Sequence, residues 1–184
     1  MLLARGLSLP RDGAVSVEGD LLGKEIVMPV RKLQEYLDRE HVKYVSIRHS
    51  PAYTSQEIAA SAHIRGKELA KSVVVKLDKK MALVVLPASF KIDLALLKDV
   101  TGAKHAELAS EADFITAFPE CELGAMPPFG HLYGMPVYVD DRLSEDREIA
   151  FNAGTHSELI RMAYDDYERM EKPKIAHVSA GAPA

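Results

Sequence analysis

Two apolar runs in the middle of the chain limit what it can fold into more than any other feature. They are Ser72–Leu77 (SVVVKL) and Met81–Pro87 (MALVVLP), separated by the polar Asp78-Lys79-Lys80. Residues branched at Cβ lose side-chain freedom in a helix and favour extended backbone. Two such runs around a short polar connection predict a β-hairpin.

Helical and extended signals alternate around this hairpin. Pro29 at a first-turn position and Val30, Leu33 and Leu37 at helical spacing predict a helix over 29–40. Val45 and Ile47 predict a strand over 43–48, broken by His49-Ser50-Pro51. Thr54-x-x-Glu57 has the capping-box spacing and opens a helix to about His63, ended by Gly66. A helix over Asp93–Val100 closes at Gly102, and Ser110-x-x-Asp113 opens another that offers Phe114, Ile115 and Phe118 for burial. Gly124–Pro136 reads as loop and Pro136–Asp140 as strand. Glu148–Asn152 and Glu158–Ala163 read as a second hairpin turning at Ala153-Gly154-Thr155, and a helix over about Asp165–Glu171 stops before Pro173. Paired strands with helices scattered between them do not make a βαβ repeat. The expected fold is mixed α/β, a single domain with a curved, mostly antiparallel sheet surrounded by helices.

At 184 residues the chain fits one domain, placed here over 28–174. Residues 1–27 lack periodicity and read as a disordered leader, or as an upstream start with Met28 as the true one. Residues 175–184 read as a flexible tail. Lys plus Arg total 23 against 27 for Asp plus Glu, a net charge of −4. This excludes nucleic-acid binding through overall basicity, DNA included, but leaves room for a local basic patch. The single cysteine, Cys121, excludes an internal disulfide or CxxC motif and suggests a cytoplasmic protein. It reads as a small, half-buried apolar residue rather than a nucleophile. No apolar run approaches the roughly 18 residues of a membrane span, and the N-terminus lacks a signal-peptide core. No phosphate loop, dinucleotide fingerprint, nucleophile elbow or HExxH is present, and seven histidines lack metal-ligand spacing. No metal and no cofactor are expected.

Three segments remain as candidates for chemistry. Lys71 opens the first β run; it is either an edge lysine that snorkels to solvent or a cation facing a cleft, placed to stabilise developing negative charge or hold a phosphate. Gly124-Ala125-Met126-Pro127-Pro128-Phe129-Gly130 is either a tight surface turn or a stiff wall of a small pocket. Phe151-Asn152-Ala153-Gly154-Thr155-His156 is either a plain hairpin turn or a source of hydrogen bonds from Asn152, Thr155 or His156 to a ligand.

In order and spacing across about 145 residues, these segments resemble the YbaK-type editing domains associated with prolyl-tRNA synthetase. The resemblance runs through HSPAYTSQEIA, AKSVVVK, GAMPPFG, PVYVD and FNAGTH, from Pro29 to about Lys174. The family's lysine followed by Ser or Thr matches Lys71-Ser72, and its G-x-x-x-P loop matches Gly124–Pro128. The resemblance implies a trans-editing deacylase that hydrolyses the ester of a mischarged tRNA carrying a small amino acid such as Ala, Ser, Thr or Cys. It implies Lys71 as the cation that orients the terminal adenosine or carbonyl, or stabilises the anionic intermediate. Ser72 and the Gly124, Ala125, Met126, Pro127 and Pro128 loop would position the aminoacyl group, and Asn152, Gly154 and His156 would line the pocket or meet the 3′ end. The water would be activated by the substrate's own ribose hydroxyl. Expected partners are the acceptor end of a mischarged tRNA, reached through Lys67, Lys71, Lys76, Lys79, Lys80, Lys91, Lys98 and Lys104, and an aminoacyl-tRNA synthetase. A non-catalytic module that binds a tRNA end or nucleotide on the same fold stands as the alternative.

Overall fold

The computed structural model describes residues 29–181, apart from positions 53, 55, 56, 59, 61, 63 and 65–67. The expected leader and the Lys67 and Gly66 positions lie outside the described residues.

The hairpin forms as the sequence predicts. β2 (Leu69–Leu77) and β3 (Lys80–Pro87) pair antiparallel from Ala70↔Pro87 to Leu77↔Lys80, after β1 (Tyr44–Arg48). Asp78 and Lys79 make the two-residue turn at φ +47° and +71°, the left-handed backbone that tight hairpins demand. The apolar run of β3 is continuous because both faces are covered. Leu83 and Val85 join a core with α1 (Pro29–Arg39), and Ala82, Val84 and Leu86 join a second with Leu97 of α2 (Leu94–Thr101). Asp93 caps α2 by accepting from the amides of Ala95 and Leu96, and Gly102 closes it at φ +69°. The Thr54–Glu57 and Ser110–Asp113 capping boxes both form, the second opening the short α3 (Glu111–Phe114).

The main sheet runs β1-β8-β7-β2-β3-β6-β9, with β5 (Ala106–Leu108) also pairing with β2. Here β6 is Val137–Asp140, β7 Glu148–Thr155, β8 Glu158–Ala163 and β9 Lys174–Ala176. Four pairings are antiparallel, while β2–β7, β3–β6 and β6–β9 are parallel. The expected mixed α/β sheet with helices around it is the observed architecture. Its helices α1, α2, α3 and α4 (Tyr164–Glu171) sit against the two faces.

The second hairpin differs from its expected turn. β7 continues to Thr155, so the reversal falls at His156-Ser157, and the Ala153-Gly154 pair is a bulge between Asn152 and Thr155. Gly154, at φ +105°, supplies the bulge conformation, and the Asn-Gly signals of a turn serve a kinked strand instead. The tail expected from residue 175 is also corrected through Gly181. β9 reaches Ala176, Val178 is fully buried, and β10 (Ser179–Ala180) pairs with β4 (Lys91–Ile92).

Candidate functional site: a gap where the central strand changes partner

β2 pairs with β7 only at Leu69↔Ala150 and Ala70↔Phe151, and picks up β5 only from Val75. Between those contacts, Lys71–Val74 border an opening in the sheet. The loop after α3 covers it without joining β2. The amide of Glu122 donates to the Gly154 carbonyl (2.9 Å) and that of Gly154 to the Ala125 carbonyl (2.9 Å). The amide of His156 donates to the Glu122 carboxylate (2.6 Å), and its ring Nε2 meets the Leu123 carbonyl at 2.8 Å. A carbonyl only accepts, so Nε2 is the donor in this contact. These four bonds fix the loop to the β7 bulge and the β7–β8 turn.

Gly124 sits at the apex with φ +86°, a conformation costly for a side-chain-bearing residue. A Cβ there would lie 3.5 Å from the His156 ring, in ordinary contact, so backbone conformation rather than space calls for glycine.

Two cavities open on the gap and share Ser72 and Gly124. The smaller, about 130 Å³, is lined by Ile58, Leu69, Ala70, Lys71, Ser72, Ala88, Gly124, Asn152 and His156. The larger, about 300 Å³, has a mainly apolar wall that includes Val73, Leu108, Phe114, Leu123 and Met126. Lys71 is half-buried, and its ammonium donates to the carbonyls of Ala88 (3.1 Å) and Phe90 (2.5 Å). Two of three N–H donors are thus engaged, and both acceptors are neutral. Burial, reinforced by the nearby Lys91 charge, lowers its pKa below the ordinary lysine value.

The structure therefore brings together Lys71, Ser72, Gly124, Asn152 and His156 around the small cavity, with Met126 in the larger one. It places Ala125, Pro127 and Pro128 elsewhere. All three are buried, and the Pro128 carbonyl accepts from Tyr167 Oη at 3.0 Å within the core. They stiffen the loop from behind. Gly154 acts through its backbone, as the partner of Glu122 and Ala125. Ile58, Leu69 and Ala88, which floor the small cavity, carried no signal in the sequence beyond being apolar.

Two other charged groupings lie outside this gap. Arg142 donates to Asp140 Oδ1 (3.3 Å) and Ser179 Oγ (2.7 Å), and His177 Nδ1 lies 3.1 Å from Asp141 Oδ1. Oxygen and nitrogen atoms of Asp140, Asp141 and His177 lie within 4.8 Å of one another, and the guanidinium already supplies positive charge there. At the tip of the β2–β3 hairpin, an open groove of about 580 Å³ is lined by Lys76, Asp78, Lys79, Lys104, His105 and Glu107. Lys76 is paired with Asp113 at 2.7 Å, whereas Lys79 and Lys104 are exposed.

A half-buried ammonium, a carboxamide and an imidazole thus line one small cavity, and no serine or cysteine triad accompanies them among the described residues. Comparisons with known proteins give the family. Residues 49–170 match the model of the aminoacyl-tRNA editing domain, and the chain belongs to that family. A relative from Escherichia coli strain K12, the multifunctional Ser/Thr-tRNA deacylase ProXp-y, is 32% identical over 126 residues, covering 64% of this chain and 75% of its own. The prolyl-tRNA editing protein ProX of Acetoanaerobium sticklandii is 28% identical over 142 residues, covering 74% and 86%. The crystal structure of a candidate trans-editing enzyme for prolyl-tRNA synthetase superposes with a TM-score of 0.72 at 22% identity, covering 83% of this chain and 98% of its own, which establishes a shared fold.

Proposed function

We propose that the gap beside β2 is the active site of a trans-editing aminoacyl-tRNA deacylase. The protein is then a hydrolase that cleaves the ester joining a wrongly attached small amino acid, of the size of Ala, Ser, Thr or Cys, to the acceptor end of a tRNA. It works in the cytoplasm, on the products of an aminoacyl-tRNA synthetase. The observation that carries the reading is the convergence of Lys71, Gly124, Asn152 and His156 on one cavity of about 130 Å³.

The chemistry is economical. A synthetase pocket separates amino acids that differ by one methylene by only about 1–3 kcal/mol, so a second, smaller site is needed to remove errors. An aminoacyl ester is activated enough that a positioned water and a stabilised oxyanion suffice. Lys71 supplies the positive charge for that oxyanion, held by two backbone carbonyls so that it does not reorganise during reaction. The fixed Gly124 apex bounds the cavity opposite, and Ser72 lies where both cavities meet. Lys79 lies in the hairpin turn and Lys104 beside it through its amide bond to Asp78, beyond the end of β2 that is six residues, or roughly 20 Å, from Lys71, and both offer phosphate contacts to the acceptor strand.

The test is a panel of tRNAs charged with labelled Ala, Ser, Thr and Cys. Release of free amino acid above the buffer rate supports the deacylase. Retention of the charged tRNA without ester loss would refute it in favour of a binding module.

A further inference from the structure

The two carbonyls that hold the Lys71 ammonium are secured differently. That of Ala88 belongs to a residue whose amide extends the hairpin edge, donating to the Leu69 carbonyl at 2.7 Å. That of Phe90 lies three residues past the end of β3 at Pro87. Phe90 is held by its ring and by the strand that follows it. The Arg142 guanidinium stacks over the ring, 4.7 Å from its centroid. The same guanidinium donates to Ser179 Oγ (2.7 Å) and Asp140 Oδ1 (3.3 Å), two residues that are fully buried. Asp140 Oδ2 in turn accepts from the Val178 amide at 3.1 Å, and β10 pairs Ser179 with Ile92 and Ala180 with Lys91, directly after Phe90. One side chain thus ties the Phe90 ring to the C-terminal strand and to a buried carboxylate.

We infer that Arg142 is a positioning residue for the reaction: by fixing Phe90 it sets where that residue's carbonyl, and through it the Lys71 ammonium, stands at the cavity. This rests on the deacylase reading and deepens it. Arg142 is absent from the cavity lining, so its effect passes through the 2.5 Å bond from Lys71 to the Phe90 carbonyl. An ammonium carries its three donors in one rigid group, so displacing one acceptor turns the donor left for substrate. A misplacement of about 1 Å can cost up to about 10²-fold in rate. The carbonyl also favours the charged form of Lys71, against the burial and the Lys91 charge that oppose it. A displaced Phe90 therefore leaves an ammonium that releases its proton at lower pH. The planar guanidinium serves both ends of this link. Lysine in its place keeps the charge beside Asp140 and loses the flat stack on the ring.

The decisive variants are Arg142→Lys and Phe90→Leu. The first keeps a cation beside the buried Asp140. The second keeps the Arg142, Asp140 and Ser179 bonds and removes only the ring, so it decides alone if the first does not fold. Each is expected to lower kcat on a mischarged tRNA about ten-fold, with KM within two-fold, and to move the alkaline decline of activity to lower pH. A lowered melting temperature with kcat and the decline at wild-type values overturns the inference, since Arg142 is then only the counter-ion of Asp140. In a Lys71→Met background neither change is expected to lower the residual rate further. A further ten-fold loss there overturns the inference, because the effect then bypasses Lys71. An NMR titration of the Lys71 ammonium reads the same link without turnover. A midpoint that falls in the variants, from a wild type that hydrolyses no ester, leaves the link from Arg142 to Lys71 standing and refutes the deacylase reading. An active wild type whose Lys71 midpoint does not move in the variants refutes the positioning role alone.

Discussion

Replacing Lys71 with methionine separates the structural role of this side chain, bonding two backbone carbonyls, from the catalytic role proposed for it. Methionine keeps the length and apolar contacts and removes the ammonium. The Ala88 and Phe90 carbonyls then lose their donor. Charge-assisted hydrogen bonds contribute about 1.5–3 kcal/mol each, but here the loss is offset by removing a half-buried charge from a site that disfavours it, so the expected net destabilisation is about 1–2 kcal/mol. Starting from an ordinary stability of about 5 kcal/mol or more, that leaves over roughly 99% of the molecules folded at 25 °C. A donor aimed at a developing oxyanion is worth about 10²–10³ in rate. Deacylation of mischarged tRNA by Lys71→Met should therefore fall 10²–10³-fold in kcat, while a urea melt shows a shifted midpoint and unchanged slope. Activity within three-fold of wild type would refute the assignment of Lys71 to the chemistry.

The pH dependence supplies an independent check. Burial and the Lys91 charge lower the Lys71 pKa in the folded protein. Between the folded and unfolded values the unfolded chain holds a proton that the folded chain has released, so the contribution of this lysine to stability rises with pH in that window. Activity has the opposite sign. On the proposed chemistry it requires the ammonium, so it should decline as pH rises through the lowered pKa, once spontaneous ester hydrolysis is subtracted. An alkaline decline present in wild type and absent from the residual activity of Lys71→Met is the expected pattern.

Three further outcomes follow from the geometry. A Cβ on Gly130 would lie 2.5 Å from Val137 Cγ2 and 2.7 Å from the Met135 carbonyl oxygen, so Gly130→Ala should destabilise by about 1–3 kcal/mol in a denaturant titration. The Asp113 carboxyl is held at about 2 by the Lys76 ammonium and by Ser110, so its stabilising contribution is present above the ordinary carboxylate value and lost as pH falls through about 2. An NMR titration of its side-chain carbon reads that midpoint, which should rise in Lys76→Met. If Lys79 and Lys104 meet the acceptor strand, the double change to alanine should reduce the slope of log affinity for tRNA against log salt by roughly 1–2.

The elements fixed by local rules were legible in the sequence. The hairpin, both capping boxes, the Asp93 and Gly102 ends of α2 and the stop before Pro173 each depend on a few adjacent residues, and each formed as expected. What depends on partners far away in the chain was not legible. Ala106–Leu108 and Lys174–Ala176 are three-residue strands with no pattern of their own, made extended by β2 and β6. Asn152-Ala153-Gly154 carries the same Asn and Gly signal whether it turns or bulges, and only the Thr155↔Glu158 pairing decides. For the site, residue type pointed to Lys71 and Gly124. The prolines of the same loop are expected at the pocket wall but are buried away from both cavities, because loop composition does not say which side of a loop a ligand meets.

The cavity itself follows from one feature of strand pairing. β2 has a β neighbour at each end of one edge, parallel β7 at Leu69–Ala70 and antiparallel β5 at Val75–Leu77, and no continuous neighbour can satisfy both directions. A gap of about four residues is the consequence, and Lys71–Val74 occupy it. The Val74 carbonyl accepts from the Ala109 amide across that edge, so by alternation Ser72 turns its own backbone N–H and C=O toward the same side. Side chains on a strand alternate as well, which sends Lys71 and Ser72 to opposite faces. At a break in the sheet, both can border one opening. A pocket made this way has walls set by main chain on three sides, namely the β2 edge, the β7 bulge and the bonded Glu122–Ala125 loop. Its size is consequently resistant to side-chain change, while its polarity is open to substitution at Asn152 and Ser72.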